Sequence, residues 1–287
     1  MSYPDDLREA VDRHLETVSF ADGPATEGLD EAMRYSLLAG GKRIRPVLCL
    51  ATARALGEPI EAYLDMAAAL EMVHTYSLVH DDLPAMDDDD LRRGKPTSHI
   101  RYGEAVAILA GDGLFAEAMR TLAAIPGDPE RALEAVRVLA GATGVTGMVG
   151  GQYVDVTATE LDAEGLLHLH SLKTGRLIRA SVECALAYAG IDPAGREPYE
   201  KFATELGILF QIVDDILDVT GSDEELGKPR GSDERHGKVT FVSLHGLDRA
   251  RELAGESHAR TVAALDLANG ETGSLRSIAD YIYRRET

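Results

Sequence analysis

The chain has 287 residues, 45% of them apolar, and its 49 acidic against 29 basic side chains give a formal charge of −20. That length and apolar content supply a sizeable core and exclude a disordered chain. The acidity argues against a nucleic-acid partner, whose phosphates need a basic face.

The N-terminus is acidic with no apolar run, so no secretory leader is expected. Leu7, Val11, Leu15 and Val18 recur every three to four residues and predict a first amphipathic helix. A second is expected from Leu29 to Leu38, stopped by Gly40 and Gly41. Lys42-Arg43-Ile44-Arg45 then precedes Pro46, which suits the first turn of a helix reaching about Leu56. Cations and unpaired amides at that helix start make a candidate anion site; ordinary surface basic residues are the alternative.

A helix over Ala62 to His80 leads into six aspartates between Asp81 and Asp90, followed at once by Arg92, Arg93 and Lys95. Carboxylates suit Mg²⁺, which proteins hold with one or two acids together with substrate phosphates, and the basic triplet would face those phosphates. A solvated acidic loop is the plainer reading. A calcium loop fails on spacing: counted from Asp81, its required Gly and Glu positions hold Met86 and Arg92. His74 precedes Asp81 by two helical turns, with Ser77 between them, and is a candidate ligand contact.

Helices are expected over Glu104 to Leu122 and Pro129 to Val149. The longest uncharged run, Val138 to Val154, is shorter than the roughly 20 residues of a membrane span, so none is expected. Its Gly141, Gly144, Gly147 and Gly150 predict one helix packed closely on a neighbour. Gly150-Gly151-Gln152, with Asp155, leads to Lys173-Thr174-Gly175 and a helix towards Tyr188. Tyr199 to Val219 carries the second acidic cluster, in which Gln211, Asp214 and Asp218 share a helical face beside Phe210 and Asp215. The stretch Thr220 to Lys238, with Lys228 and Lys238, reads as a lid or a plain connector. Two helices close the chain.

Strand alternation is not evident, and no composition shift marks a boundary, so one all-α domain is expected over residues 1–287, about ten or more helices around a central cavity. Two acidic helix ends facing each other could hold metal ions between them. Cys49 and Cys184 lie in apolar helical patterns and read as reduced core thiols of a cytosolic protein. Five of the six lysines, all but Lys201, adjoin Gly, Pro or Thr in the segments named above, where a compact charge on a flexible stem reaches phosphate.

In this order the motifs resemble those of the trans-isoprenyl diphosphate synthases, the polyprenyl synthetase family: Asp81-Asp82 with Asp87 and then Arg92-Arg93, and Asp214-Asp215 with Asp218. Gly40 to Pro46, Gly150 to Gln152, Lys173 to Gly175 and Gly227-Lys228-Pro229 match further signatures, so the resemblance covers nearly the whole chain. It implies an orthogonal helical bundle of the isoprenoid synthase type, three Mg²⁺ ions, a homodimer and a cytoplasmic location. It also implies the condensation of isopentenyl diphosphate with an allylic diphosphate. By resemblance, Asp81, Asp82 and Asp87 bind two ions, and Asp214 with Asp215 and Asp218 a third. Arg92, Lys173, Lys228 and Lys238 would grip the allylic diphosphate, while Lys42, Arg45, His74 and Arg93 would bind isopentenyl diphosphate. Phe210 would touch substrate, and Lys173, Thr174 and Gln211 would steady the carbocation. Tyr76 and Ser77, one turn or more before Asp81, would floor the prenyl pocket, favouring farnesyl diphosphate (C15) over geranylgeranyl diphosphate (C20). A terpene cyclase would not need the second diphosphate site, and a non-catalytic partner subunit would not need both acidic motifs.

Overall fold

The spacing of Leu7, Val11 and Leu15 becomes helix α1 (Asp5–Thr17) in the computed structural model, with all three side chains buried. The structure describes residues 3–158, 160–221 and 239–285. Along them follow α2 (Glu27–Leu37), α3 (Ile44–Ala55), α4 (Leu64–Asp81), α5 (Ser98–Tyr102), α6 (Glu104–Ala123), α7 (Pro129–Thr143), α8 (Met148–Thr157) and α9 (Ala163–His170). A π-turn at Ser171–Gly175 precedes α10 (Arg176–Ala189), α11 (Pro193–Thr220), α12 (Phe241–His245), α13 (Leu247–Leu265) and α14 (Gly273–Arg284). The fold is all-α, and one apolar core runs from Leu7 to Ile282. Helix α3 is buried nearly all round and α10 along its apolar side, and α4 packs along α6 while α11 packs along α13.

Three local features differ from the sequence reading. Pro129 to Val149 is not one helix: α7 stops at Thr143 and α8 starts at Met148. A Cβ at Gly147 would strike the Ala142 carbonyl, and one at Gly150 the Val145 carbonyl, so these glycines serve a tight break; Gly141 has nothing within 4 Å. The break divides the apolar stretch Pro129–Thr157, which by length and composition alone could cross a membrane, into two pieces packed on α10 and on the π-turn. Helix α11 starts earlier than expected, at Pro193, because the Asp192 side chain accepts from the Gly195 amide at 2.8 Å and Pro193 fits the first turn.

The third difference is a small hairpin, β1 (Leu91–Arg92) paired with β2 (Lys95–Pro96). Both turn residues, Arg93 (φ 54°) and Gly94 (φ 73°), are left-handed, as a two-residue hairpin with a matching twist needs. The sequence hides it because each strand is only two residues long and Arg stands where Asn is usual.

Candidate active site

Helix α4, α8, the π-turn and α11 enclose a cavity of about 760 Å³. Asp81, at the last turn of α4, and Asp214, in α11, both line it, so the two acidic helices face one space. Arg45, His74, Tyr76, Ser77, Lys173, Thr174, Phe210 and Gln211 line it too. Leu83, Met86, Ile108, Met148, Val149 and Val156 make the rest of the wall largely apolar.

The turn after α4 folds back through Asp87 N–H donating to the Asp81 carbonyl at 2.9 Å. Burial first, and then the neighbouring Asp87 and Asp82 charges, push the Asp81 carboxyl up to about 6 against the pull of Lys173 and Arg92. A carboxylate held in this way is a place where a cation relieves stored repulsion. Without metal, the folded chain keeps a proton that the unfolded chain, with its Asp near 3.8, releases. Stability therefore falls as pH rises from about 4 through about 6. Asp81→Asn should flatten this slope and raise Tm at pH 7 in chelator; an unchanged Tm would speak against the buried charge.

Asp82 and Asp215, expected among the metal ligands, are placed otherwise. Asp82 is buried and accepts from Arg92 Nε at 3.0 Å and from Arg92 Nη2, so it anchors the hairpin rather than lining the cavity. Asp215 accepts from Gln211 Nε2 and from the Phe241 amide, both at 2.8 Å, which pins the start of α12. Asp87 and Asp218 also lie off the cavity wall, although Asp87 contributes to the field at Asp81.

The basic stretch before α3 divides its roles. Arg45 reaches the cavity, where burial lowers its pKa to about 10. Burial, then Arg45, Arg93, Arg92 and Arg43, hold His74 well below its usual range, so the ring is neutral beside a cluster of cations. Arg93 donates to the Gly40 carbonyl instead of lining the cavity. A Cβ at Gly41 (φ 120°) would sit 2.6 Å from Arg93 Cζ, so only glycine fits there. Lys42 lies over the Tyr281 ring at 5.3 Å, off the cavity wall. Arg43, expected in the anion site, instead turns inward to an acid the sequence reading missed: it donates to Glu71 at 2.6 Å, to Asp12 at 2.9 Å and to the Leu37 carbonyl at 2.9 Å. The signal was available, since Glu71 stands amid the apolar middle of α4 and a buried acid needs a partner.

Widened helical turns of this kind recur at functional sites, and this one presents Lys173 and Thr174 to the cavity. A Cβ at Gly151 would overlap the Lys173 backbone, and one at Gly207 would meet Gly175 Cα at 3.1 Å; glycine lets α8 and α11 close on the turn. Thr174 Oγ1 donates to Gln211 Oε1 at 3.2 Å, so Thr174, Gln211, Asp215 and the α12 amide form one hydrogen-bonded series. Lys173 Nζ donates to Asp155 Oδ2 at 2.5 Å, and this acid, noted beside Gly150-Gly151-Gln152 but given no role, fixes the ammonium at the wall. Lys228 and Lys238 lie outside the described residues.

A family profile described as Polyprenyl synthetase matches residues 26–271, a span holding every cavity residue. The chain belongs to the polyprenyl synthetase family. Among its relatives, the farnesyl diphosphate synthase of Geobacillus stearothermophilus is 47% identical over 253 residues, covering 86% of this chain and 83% of that one. The chloroplastic heterodimeric geranylgeranyl pyrophosphate synthase large subunit 1 of Arabidopsis thaliana is 43% identical over 296 residues, covering 100% of this chain and 79% of that one. The geranyltransferase of Helicobacter pylori, solved with magnesium and isoprenyl diphosphate, superposes with a TM-score of 0.87 at 32% identity, over 99% of this chain and 98% of that one. The Helicobacter pylori structure shares the all-α architecture described above.

Proposed function

We propose that this polyprenyl synthetase is a short-chain trans-prenyltransferase that condenses isopentenyl diphosphate with allylic diphosphates to give farnesyl diphosphate. The observation that carries this reading is the shared cavity: Asp81 and Asp214 on facing helices, beside the cationic corner of Arg45.

Magnesium suits these donors. Asp81 carries a strained negative charge and Asp214 lines the same cavity, so these carboxylates would hold a hard cation together with diphosphate oxygens. We place two ions on the Asp81 side, with Asp87 nearby, and a third at Asp214. When bound, the metal neutralises the charge of the leaving diphosphate as a Lewis acid.

The chain's own groups do the rest. The allylic C1–O bond breaks with its electron pair leaving on diphosphate. The isopentenyl double bond attacks the resulting cation, and the proton on C2 passes to the departed diphosphate as the C2–H electrons form the new double bond. Lys173, held by Asp155, meets the allylic diphosphate. Arg45 and neutral His74 receive isopentenyl diphosphate, the ring donating a hydrogen bond without adding charge. The Thr174 hydroxyl and Gln211 carbonyl present dipoles that steady the cation without trapping it. Apolar Leu83, Met86, Ile108 and Val149 keep water from it. Asp155→Asn should free Lys173 and cost about 10–100-fold in kcat/KM for the allylic substrate, the worth of a charge-assisted hydrogen bond. Steady-state kinetics at saturating isopentenyl diphosphate check this, and an unchanged kcat/KM would remove Asp155 from the account.

Tyr76, one turn deeper than Asp81, floors the prenyl pocket and limits growth at C15, with C20 the alternative product. Incubating the chain with dimethylallyl and isopentenyl diphosphates plus Mg²⁺ and sizing the products decides between these. No incorporation at all would favour a non-catalytic partner subunit. We also propose a single domain over residues 1–287, which the one continuous core supports. A homodimer is supported by the exposed Leu109 and Phe115 on α6. A cytoplasmic location is supported by the buried thiols of Cys49 and Cys184.

A further inference from the structure

We infer that Tyr281, in α14, is a positioning residue for isopentenyl diphosphate: with Tyr3 it clamps Lys42 and so fixes the loop that delivers Arg45 to the cavity. The inference rests on isopentenyl diphosphate meeting Arg45 and His74. That loop needs holding. Gly40 (φ 87°), Gly41 (φ 120°) and Arg43 (φ 52°) all have left-handed backbone, which is uncommon for an arginine. Such a run persists only where its surroundings impose it. Other parts of the chain do so: Arg93 donates to the Gly40 carbonyl, and Arg43 is tied to Glu71, Asp12 and the Leu37 carbonyl.

Lys42 is gripped twice, at its backbone and at its tip. The Tyr3 hydroxyl donates to the Lys42 carbonyl at 2.7 Å, and the Lys42 ammonium lies 5.3 Å from the centre of the Tyr281 ring. The two tyrosine rings stand 4.7 Å apart, so the clamp is one unit that joins the segment before α1 to α14. It also reaches the cavity wall. Arg285, one turn beyond Tyr281, stands 5.9 Å over the ring of Phe210, which lines the cavity. Arg45 follows Lys42 by three residues, in the first turn of α3, so a loop that drifts carries that guanidinium with it. The Lys42 ammonium lies off the cavity wall because it is the handle by which the loop is held.

The test is steady-state kinetics of Tyr281→Leu, Tyr281→Phe, Lys42→Met and the double variant Tyr281→Leu with Lys42→Met, each diphosphate being varied in turn at saturating Mg²⁺. Tyr281→Leu should raise the KM for isopentenyl diphosphate about two- to fivefold, the worth of a cation–π contact at an exposed site, and leave kcat and the allylic KM unchanged. Tyr281→Phe, which keeps the ring, should behave as the wild type. In the Lys42→Met background Tyr281→Leu should add nothing, because the contact is already gone. Tyr3→Phe loses only the bond to the Lys42 carbonyl; it should raise the same KM in both backgrounds, and it serves if Tyr281→Leu does not fold. An unchanged KM in Tyr281→Leu, effects of Tyr281→Leu and Lys42→Met that multiply, or an equal loss for the allylic substrate overturns the clamp alone. An unchanged KM for isopentenyl diphosphate in Arg45→Gln overturns the placement of that substrate and the clamp with it.

Discussion

Asp81→Ala and Asp214→Ala should each lower kcat by at least about 10²–10³ at saturating Mg²⁺, the typical worth of one preorganised group acting on developing charge. The two carboxylates face a single cavity from different helices, so in the proposed mechanism each acts on the same departing diphosphate. Losing either wall leaves the leaving group's charge uncompensated, and the double variant should cost little more than the worse single one, as residues acting as a unit do. The KM for isopentenyl diphosphate, proposed to meet Arg45 and His74 instead, should stay within about threefold. Steady-state turnover checks this, and near-wild-type kcat in either variant would remove that aspartate from the chemistry.

The second large effect concerns stability. Arg43→Ala should destabilise the chain by about 3–5 kcal/mol, the usual cost of breaking a buried ion pair by removing one partner. Arg43 is 3% exposed and Glu71 is 1% exposed, and their 2.6 Å contact joins the start of α3 to the middle of α4. Without the guanidinium, the Glu71 carboxylate stays buried next to Arg45 and Arg93, neither of which is shown bonding to it. The Leu37 carbonyl and Asp12 lose their donor as well. Thermal unfolding should show Tm lower by roughly 6–20 °C for a chain of this size. A fall under about 2 °C would mean that the pair is not what fixes the basic stretch.

Where a residue type repeats with a period, the sequence was legible: Leu7, Val11 and Leu15 made α1, and the apolar run before Asp81 made α4. Most of the cavity wall was legible too, because motif residues such as Arg45, His74, Lys173 and Gln211 lie in short ordered blocks. Which member of an Asp pair faces the cavity was less visible. Neighbours on a helix point about 100° apart, and it is Arg92 and the Phe241 amide, both distant in sequence, that draw Asp82 and Asp215 away from the wall that Asp81 and Asp214 line. Asp218 does share a face with Asp214, yet it lies a turn beyond the cavity.

Other features depended on contacts distant in sequence. Glycine spacing alone suggested one packed helix, whereas the carbonyls of Ala142 and Val145 show why the chain breaks at Gly144–Gly147. Asp155 and Glu71 look like stray acids until Lys173 and Arg43 arrive from other helices to pair with them.

If Asp81 and Asp214 jointly hold one allylic diphosphate through metal, both are needed for magnesium-dependent binding. Titration calorimetry with an unreactive thiolo analogue of dimethylallyl diphosphate tests it most directly. The wild type should bind the analogue only when Mg²⁺ is present, and Asp81→Ala and Asp214→Ala should each lose that magnesium-dependent binding. Full Mg²⁺-dependent affinity in either variant, or equal affinity in chelator, would contradict the account.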